Sequence, residues 1–112
     1  MCGIAGFCNW GRENSHTDAD SWEKNIRKMN ERMKHRGPDA SGIWASPDRS
    51  VVFGHRRLAI VDLSETGAQP MVSHSGRYVI AYNGEIYNYK EIAKRLLDEK
   101  KVTAFRGSSD TE

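Results

Sequence analysis

The stretch GIWASPDRSVVFG, residues 42–54, decides the architecture of this chain. Two short apolar runs, at 42–45 and 51–54, flank the turn-forming residues 46–49, and this pattern is typical of a β-hairpin with a four- or five-residue turn. The strands of a hairpin run antiparallel, and so do further strands that short turns join to it. The segment therefore predicts an antiparallel sheet at the centre of the fold.

The residues before this hairpin predict one strand and one amphipathic helix. Residues 2–8 are apolar and lie before polar ones, which indicates a buried strand. We expect the helix to begin after an N-cap at Asp20, with Glu23 as its capping-box partner, and to end at the Gly-Pro pair of residues 37–38. Four apolar residues share one face of this helix and are expected in the core: Trp22, Ile26, Met29 and Met33.

The residues after the hairpin predict more strands. Polar side chains interrupt the apolar pattern at 55–57, and the pattern resumes at 58–61, where we expect another strand. Residues 62–77 contain Gly, Ser and Pro and are expected to form a loop. Asn-Gly at 83–84, between the apolar runs 78–82 and 85–87, is the strongest short signal for a hairpin turn.

The last part of the sequence predicts a helix and a terminal strand. Asn88 fits an N-cap with Glu91 at the capping-box position, and the apolar face is expected to consist of Ile92, Leu96 and Leu97. A strand and a turn are expected over residues 105–112. The element order is then β-α-β-β-β-β-β-α-β, which indicates an α+β fold with helices on a face of antiparallel sheets.

Composition and charge exclude several functional classes. The chain has 112 residues and a net charge of +2, with acidic residues interleaved among the basic ones, so we expect one domain that does not bind nucleic acid. Its apolar runs are too short to span a membrane, and no signal peptide precedes Arg12. The two cysteines and four histidines lack the spacing of a disulfide scaffold or a metal site, so we expect no metal and a reducing cytoplasm.

Cys2 is the residue that most directly suggests chemistry. Removal of Met1 would place a thiol and a free α-amine on one residue, with unperturbed pKa values of about 8.5 and about 7.7–8.0. The amine can then accept the thiol proton near neutral pH and return it to a leaving group, so that the nucleophile carries its own base. The alternative is that Cys2 is a small apolar residue buried near the terminus.

Other residues are compatible with a site around that nucleophile, and each also has a simpler interpretation. The Asn83 amide and the Gly84 N–H are two donors suited to an oxyanion hole, or they form only a type I′ turn. Arg57 is suited to clamp a carboxylate, or it is a solvated surface residue. Glu85 and Asp110 are suited to hold an ammonium group, or they lie on the surface.

Six motifs in a fixed order carry a family resemblance. They are MCGIAGF at 1–7, RGPD at 36–39, HRRLAIVDLS at 55–64, AQPM at 68–71, YNGEIYNY at 82–89 and GSSDTE at 107–112. Together they resemble the class II glutamine amidotransferase domain of the glutamine-hydrolysing asparagine synthetase family, whose members are N-terminal-nucleophile (Ntn) hydrolases. The related phosphoribosylpyrophosphate and glucosamine-phosphate amidotransferases share the Cys-Gly-Ile start, but the RGPD and YNGEIYN segments look much more similar to the asparagine synthetase branch.

The resemblance implies a role for each matching residue. Cys2 would attack the side-chain amide of glutamine, release ammonia through a thioester and leave glutamate, while Asn83 and Gly84 form the oxyanion hole. The substrate-binding residues would be Arg57 for the α-carboxylate, Asp110 with Glu85 for the α-ammonium group, and backbone groups near Leu58 and Ile60 as the pocket wall.

The resemblance also implies the wider organisation. The family domain is an Ntn-hydrolase αββα sandwich of antiparallel sheets, and residues 1–112 would be the incomplete, N-terminal part of this type 2 domain, because the family domain is nearly twice as long. We expect no cofactor in this segment. ATP and Mg²⁺ belong to the synthetase domain, whose Ser-Gly-Gly-x-Asp-Ser motif is absent from the chain. The expected partners are L-glutamine, that synthetase domain and, through unpaired strand edges, a second copy in a homo-oligomer.

Several alternatives stay open at this point. The chain is a glutaminase, a glutamine-binding module that does not turn over, or a structural piece that pairs with another copy. The second interpretation holds if Met1 is retained, because Cys2 then has an acylated nitrogen and no base. The acceptor of the ammonia is aspartate in asparagine synthetases, but it is a sugar or another carboxylate in enzymes with a similar amidotransferase half.

Overall fold

A computed structural model describes residues 1–9, 19–60 and 63–112 of the chain. Five strands and two α-helices follow one another along these residues. In chain order they are β1 (Gly3–Cys8), α1 (Ala19–Arg32), β2 (Ala40–Ala45), β3 (Val51–Arg57), β4 (Met71–Val72), β5 (Val79–Ile80) and α2 (Tyr89–Asp98), with a short 3-10 helix at Glu65–Gly67 between β3 and β4.

The strands form two antiparallel sheets. A three-stranded sheet has the order β1-β3-β2, and β4 pairs with β5 in a separate two-stranded sheet. The β2–β3 hairpin is confirmed, with Ala45 opposite Val52 across the turn, and β1 pairs along the other side of β3 with Gly3 opposite Arg56. The predicted α+β arrangement of antiparallel strands and helices is therefore confirmed in outline. The expectation of a buried strand at residues 2–8 is wrong in part, because β1 has one neighbour, β3, in the described sheet and Ile4 is exposed.

The centre of the sheet is β3, and it is longer than predicted. The expected break at 55–57 is wrong, because these residues continue the strand to Arg57, and the strand expected at 58–61 is wrong for Leu58–Ile60. Val61 lies outside the described residues. The reason is that the polar side chains of β3 find partners inside the protein. The Nε of Arg56 donates to the Gly37 carbonyl at 2.9 Å, for example.

Helix α1 packs across β3 through a narrower set of residues than its apolar stripe. Ile26 is fully buried, but Met29 is 38% exposed, so its predicted place in the core is wrong. The buried position next to Met29 is Asn30, whose Nδ2 donates to the Gly42 carbonyl at 3.0 Å. The helix begins at Ala19, before the predicted cap Asp20, and ends at Arg32.

The second half of the chain departs most from the sequence prediction. The hairpin there joins β4 to β5, with Met71 opposite Ile80, so the predicted loop at 62–77 contains a strand. Residues 83–84 do not form a hairpin turn, and the described chain has no strand at 85–87 or at 105–112. The backbone groups of Tyr82 bond to two side chains instead of a partner strand, as described below. This arrangement ends β5 early.

Helix α2 lies where it was predicted but is loosely covered. It begins directly after Asn88, whose side chain makes no capping hydrogen bond. No residue of α2 is buried, and Ile92 and Leu97 of its apolar face are both more than 40% exposed. Within residues 1–9, 19–60 and 63–112, no helix is both long and apolar enough to cross a membrane.

Candidate active site

One cavity of about 330 Å³ brings together all eight residues that the sequence singled out. Its size is at the lower end of the range for small-molecule sites. The predicted residues on its wall are Cys2, Arg57, Leu58, Ile60, Asn83, Gly84, Glu85 and Asp110. Sequence reasoning missed four further wall residues, Met1, Gln69, Tyr82 and Tyr87, although each of them lies in one of the six motifs or next to the nucleophile.

Cys2 reaches this cavity because of the register between β1 and β3. Gly3 pairs with Arg56, so Cys2 lies beside the point where β3 ends. The Leu58 N–H donates to Cys2 Sγ at 3.3 Å, and Sγ lies 3.6 Å from the Leu58 carbonyl oxygen. The sulfur is therefore held at the cavity wall by the backbone of a residue 56 positions away. No local spacing in the sequence indicates this contact.

The RGPD loop, residues 36–39, makes hydrogen bonds to the residues that adjoin the end of β3 and the start of β1. The Nε of Arg36 donates to the Cys2 carbonyl at 3.3 Å, and the Ala59 N–H donates to the Asp39 carboxylate at 2.8 Å. Gly37 lies so close to the backbone of β3 that a Cβ on it would overlap main-chain atoms of that strand. This motif therefore places the cysteine and the residues that follow β3 relative to each other.

Arg57 and Arg56 point to opposite sides of the sheet, as the two-residue repeat of a strand requires. Arg57 lines the cavity, and one of its Nη atoms donates to the Ser64 carbonyl at 2.6 Å. Arg56 lines a separate groove beside α1, with Lys28 and Glu31. Both arginines are 8% exposed, so the two side chains differ in direction and not in burial. Of the two, Arg57 therefore lines the candidate site and Arg56 does not.

The Asn83-Gly84 segment is held through the residue that precedes it. The Tyr82 N–H donates to Gln69 Oε1 at 2.6 Å, and the Tyr82 carbonyl lies 3.3 Å from His55 Nε2. The Tyr82 ring lies against Gly84, where an added Cβ would come within 2.6 Å of the ring carbon that bears the hydroxyl. The segment is thus a supported loop at the cavity wall, with an amide side chain and a glycine N–H side by side.

Two carboxylates complete the wall and give the cavity both signs of charge. Asp110 is half-buried, and its Oδ2 accepts a hydrogen bond from the Ile86 N–H at 2.8 Å. Glu85 is exposed at the same cavity. Together with Arg57 these side chains offer one cationic and two anionic groups around one small space. A free α-amino acid fits these charges, because its carboxylate can pair with the cation and its ammonium group with the anions.

His55 lies behind this wall and is buried, with 1% of its surface exposed. Burial lowers the pKa of His55, the neighbouring charge of Arg57 lowers it further, and the contact with the Tyr82 carbonyl partly opposes both. The ring is therefore neutral near pH 7 and donates from Nε2 to that carbonyl. Its Nδ1 has no hydrogen-bond partner among the described residues. The same residues contain no cluster of three His, Cys, Asp or Glu side chains able to hold a metal ion.

Comparison with known proteins shows the family of this chain. The glutamine amidotransferase domain family matches residues 1–112. The chain is 41% identical over its whole length to asparagine synthetase [glutamine-hydrolyzing] 1 of Bacillus subtilis, 38% over 112 residues to asparagine synthetase B of Escherichia coli, and 39% over 116 residues to amidase chry2 of Gibberella zeae. It spans 16–18% of the length of these three relatives. Because the family match covers all of the sequence, this chain belongs to the glutamine amidotransferase domain family.

Proposed function

We propose that this chain is the N-terminal part of the glutamine-hydrolysing half of an asparagine synthetase-type enzyme. The observation that supports it most is the cavity itself. Eight residues from separate stretches of the sequence, spread from Cys2 to Asp110, line one space that has both signs of charge. A structural role for each residue taken singly would not require them to meet there.

The first half of the proposed reaction forms a thioester. After removal of Met1, the Cys2 α-amine takes the thiol proton, and Sγ attacks the side-chain carbonyl carbon of glutamine. The carbonyl electron pair moves to oxygen, where the Asn83 amide and the Gly84 N–H stabilise the oxyanion. The C–N bond then breaks, the ammonium of Cys2 gives its proton to the leaving nitrogen, and ammonia departs. The product on the protein is a γ-glutamyl thioester on Cys2.

The second half returns the cysteine. The α-amine takes a proton from a water molecule, and the resulting hydroxide attacks the thioester carbon in front of the same two donors. The C–S bond breaks, the sulfur recovers a proton from the ammonium, and glutamate leaves. The sum is glutamine plus water giving glutamate plus ammonia.

Binding of the substrate would use the charged wall. Arg57 pairs with the α-carboxylate, Asp110 and Glu85 hold the α-ammonium group, and the backbone near Leu58 and Ile60 bounds the side chain. Such a site selects free glutamine over a glutamine inside a peptide, because the peptide lacks the free α-carboxylate and α-ammonium groups that these side chains would bind.

The wider organisation follows from the resemblance and is part of the same proposal. Residues 1–112 supply the N-terminal part of an Ntn-type αββα sandwich in a cytoplasmic enzyme, and the ammonia passes to a synthetase domain that uses ATP and Mg²⁺ with aspartate as the acceptor. Because one relative is named an amidase, an ammonia acceptor other than aspartate is the alternative. Homo-oligomer formation also stays a prediction, supported by the single neighbour that β1 and β2 each have in the described sheet.

The test compares Cys2, which directly precedes β1, with Cys8, the last residue of β1. Cys2→Ala in the full natural protein should abolish the release of ammonia and glutamate. Cys8 is exposed, and Cys8→Ala should release both products as the wild type does. Mass spectrometry of the N-terminus reports whether Met1 is removed. If Met1 is retained and glutamine binds without turnover, the chain is a binding module instead. Wild-type hydrolysis by Cys2→Ala would refute the enzyme assignment.

A further inference from the structure

Gln69 is a cavity residue that the mechanism above does not use. Its side-chain amide makes two hydrogen bonds to residues far apart in sequence. Oε1 accepts from the Tyr82 N–H at 2.6 Å, and Nε2 donates to Thr111 Oγ1 at 3.2 Å. Both ends of one amide are therefore engaged across the wall of the candidate site.

The two partners of Gln69 adjoin the two functional segments of the cavity. Tyr82 directly precedes Asn83 and Gly84, which supply the proposed oxyanion donors. Thr111 directly follows Asp110, the proposed partner of the substrate ammonium group. No strand pairing joins these two segments in the described chain, because β5 ends at Ile80 and residues 105–112 form no strand. Their separation therefore depends on side-chain links of this kind.

The main chain of Gln69 is itself fixed to the sheet. Its carbonyl group lies against Gly42 of β2 so closely that an added Cβ there would overlap the carbonyl oxygen and reach 3.1 Å from Pro70 Cδ. The carbonyl oxygen of Tyr82 lies 3.3 Å from Nε2 of the buried His55 ring. The half-buried Gln69 therefore contacts the sheet through its main chain and two loops through its side-chain amide.

We propose that Gln69 is a positioning residue for glutamine hydrolysis, which aligns the oxyanion donors through Tyr82 and the ammonium-binding carboxylate through Thr111. This inference rests on the proposed function. The two links predict separable effects. Loss of the Tyr82 link displaces donors that act in the transition state and lowers kcat, whereas loss of the Thr111 link weakens substrate binding and raises KM.

The first experiment replaces the amide with a side chain of similar length in the full natural protein. Gln69→Met removes both hydrogen bonds, and we expect kcat to fall by about 10- to 100-fold, because small displacements of oxyanion donors are costly. Gln69→Glu should recover at least tenfold of that loss, since a carboxylate accepts from both the Tyr82 N–H and the Thr111 hydroxyl. A purely steric role for Gln69 predicts equal kcat in the two variants, and that result would overturn the proposal.

The second experiment tests the other link and does not depend on the folding of the first variants. Thr111→Val should raise KM for glutamine severalfold with little change in kcat. Thr103 is exposed and does not line the cavity, so Thr103→Val is the matched control. Identical KM in these two variants would overturn the proposal. If ammonia release survives Cys2→Ala, the proposed function itself is wrong. If release requires Cys2 but Gln69→Met leaves kcat and KM unchanged, only the positioning role is wrong.

Discussion

Replacement of Arg57 by lysine gives the sharpest test of the charge assignment in the cavity. The substitution keeps the positive charge and removes the planar fork that binds a carboxylate through two parallel N–H bonds. Arg57 is 8% exposed, and one Nη is already bonded to the Ser64 carbonyl at 2.6 Å, so the guanidinium is held in a fixed orientation at the wall. A lysine ammonium carries its three donors on one nitrogen, so it cannot form the two parallel bonds of the guanidinium fork.

The expected magnitude follows from the loss of one charge-assisted hydrogen bond in a buried place. Such a bond is worth about 1.5–3 kcal/mol, and each 1.4 kcal/mol corresponds to a tenfold change in affinity. The affinity for glutamine should therefore fall by about tenfold to more than a hundredfold. Binding is best measured by calorimetry in a Cys2→Ala background, where the dissociation constant is not mixed with turnover. The KM for ammonia release then gives an independent value in the active protein.

Arg56 provides a matched control for this experiment. It is adjacent, equally buried and also bonded to a carbonyl oxygen, but it faces the groove beside α1. Arg56→Lys and Arg57→Lys should both lower the free energy of unfolding by about 1–3 kcal/mol, because each loses part of a buried charged hydrogen bond. Only Arg57→Lys should weaken glutamine binding. Equal weakening by the two variants would refute the alternation argument on which the assignment depends.

Two further predictions concern stability. Burial holds the pKa of His55 below its ordinary value of 6.5, so the unfolded chain binds a proton there that the folded chain does not. The free energy of unfolding should therefore decrease as pH falls through about 6.5. Urea titrations at pH 7.5 and 5.5 should show a smaller decrease for His55→Gln than for the wild type or for His35→Gln, a control at an exposed site. Gly54→Ala would bring a Cβ within 2.9 Å of Ile26 Cδ1 and against Asn30, and should lower the free energy of unfolding by about 1–3 kcal/mol in the same titration, whereas an unchanged value would contradict the close approach of α1 to β3.

The sequence alone identified the residues of the candidate site and the local elements with strong short-range patterns. The β2–β3 hairpin and the start of α2 after Asn88 both formed where predicted, because turn residues and the apolar periodicity of a helix act over a few positions, although the Asn88 side chain makes no capping hydrogen bond. The opposite directions of Arg56 and Arg57 were also predictable, since a strand alternates its side chains. The family resemblance further named eight positions that lie on one cavity wall.

Only the tertiary structure decided how the polar residues are used. Asn83-Gly84 has the strongest local hairpin signal, yet Tyr82 bonds to Gln69 and His55, so the turn is replaced by a supported loop. Asn30 rather than Met29 is buried against the sheet beside Ile26, and its Nδ2 donates to the Gly42 carbonyl of β2. Such outcomes depend on contacts between residues distant in sequence. A polar group is stable in the interior when packing brings it a partner, and periodicity in the sequence carries no information about that partner.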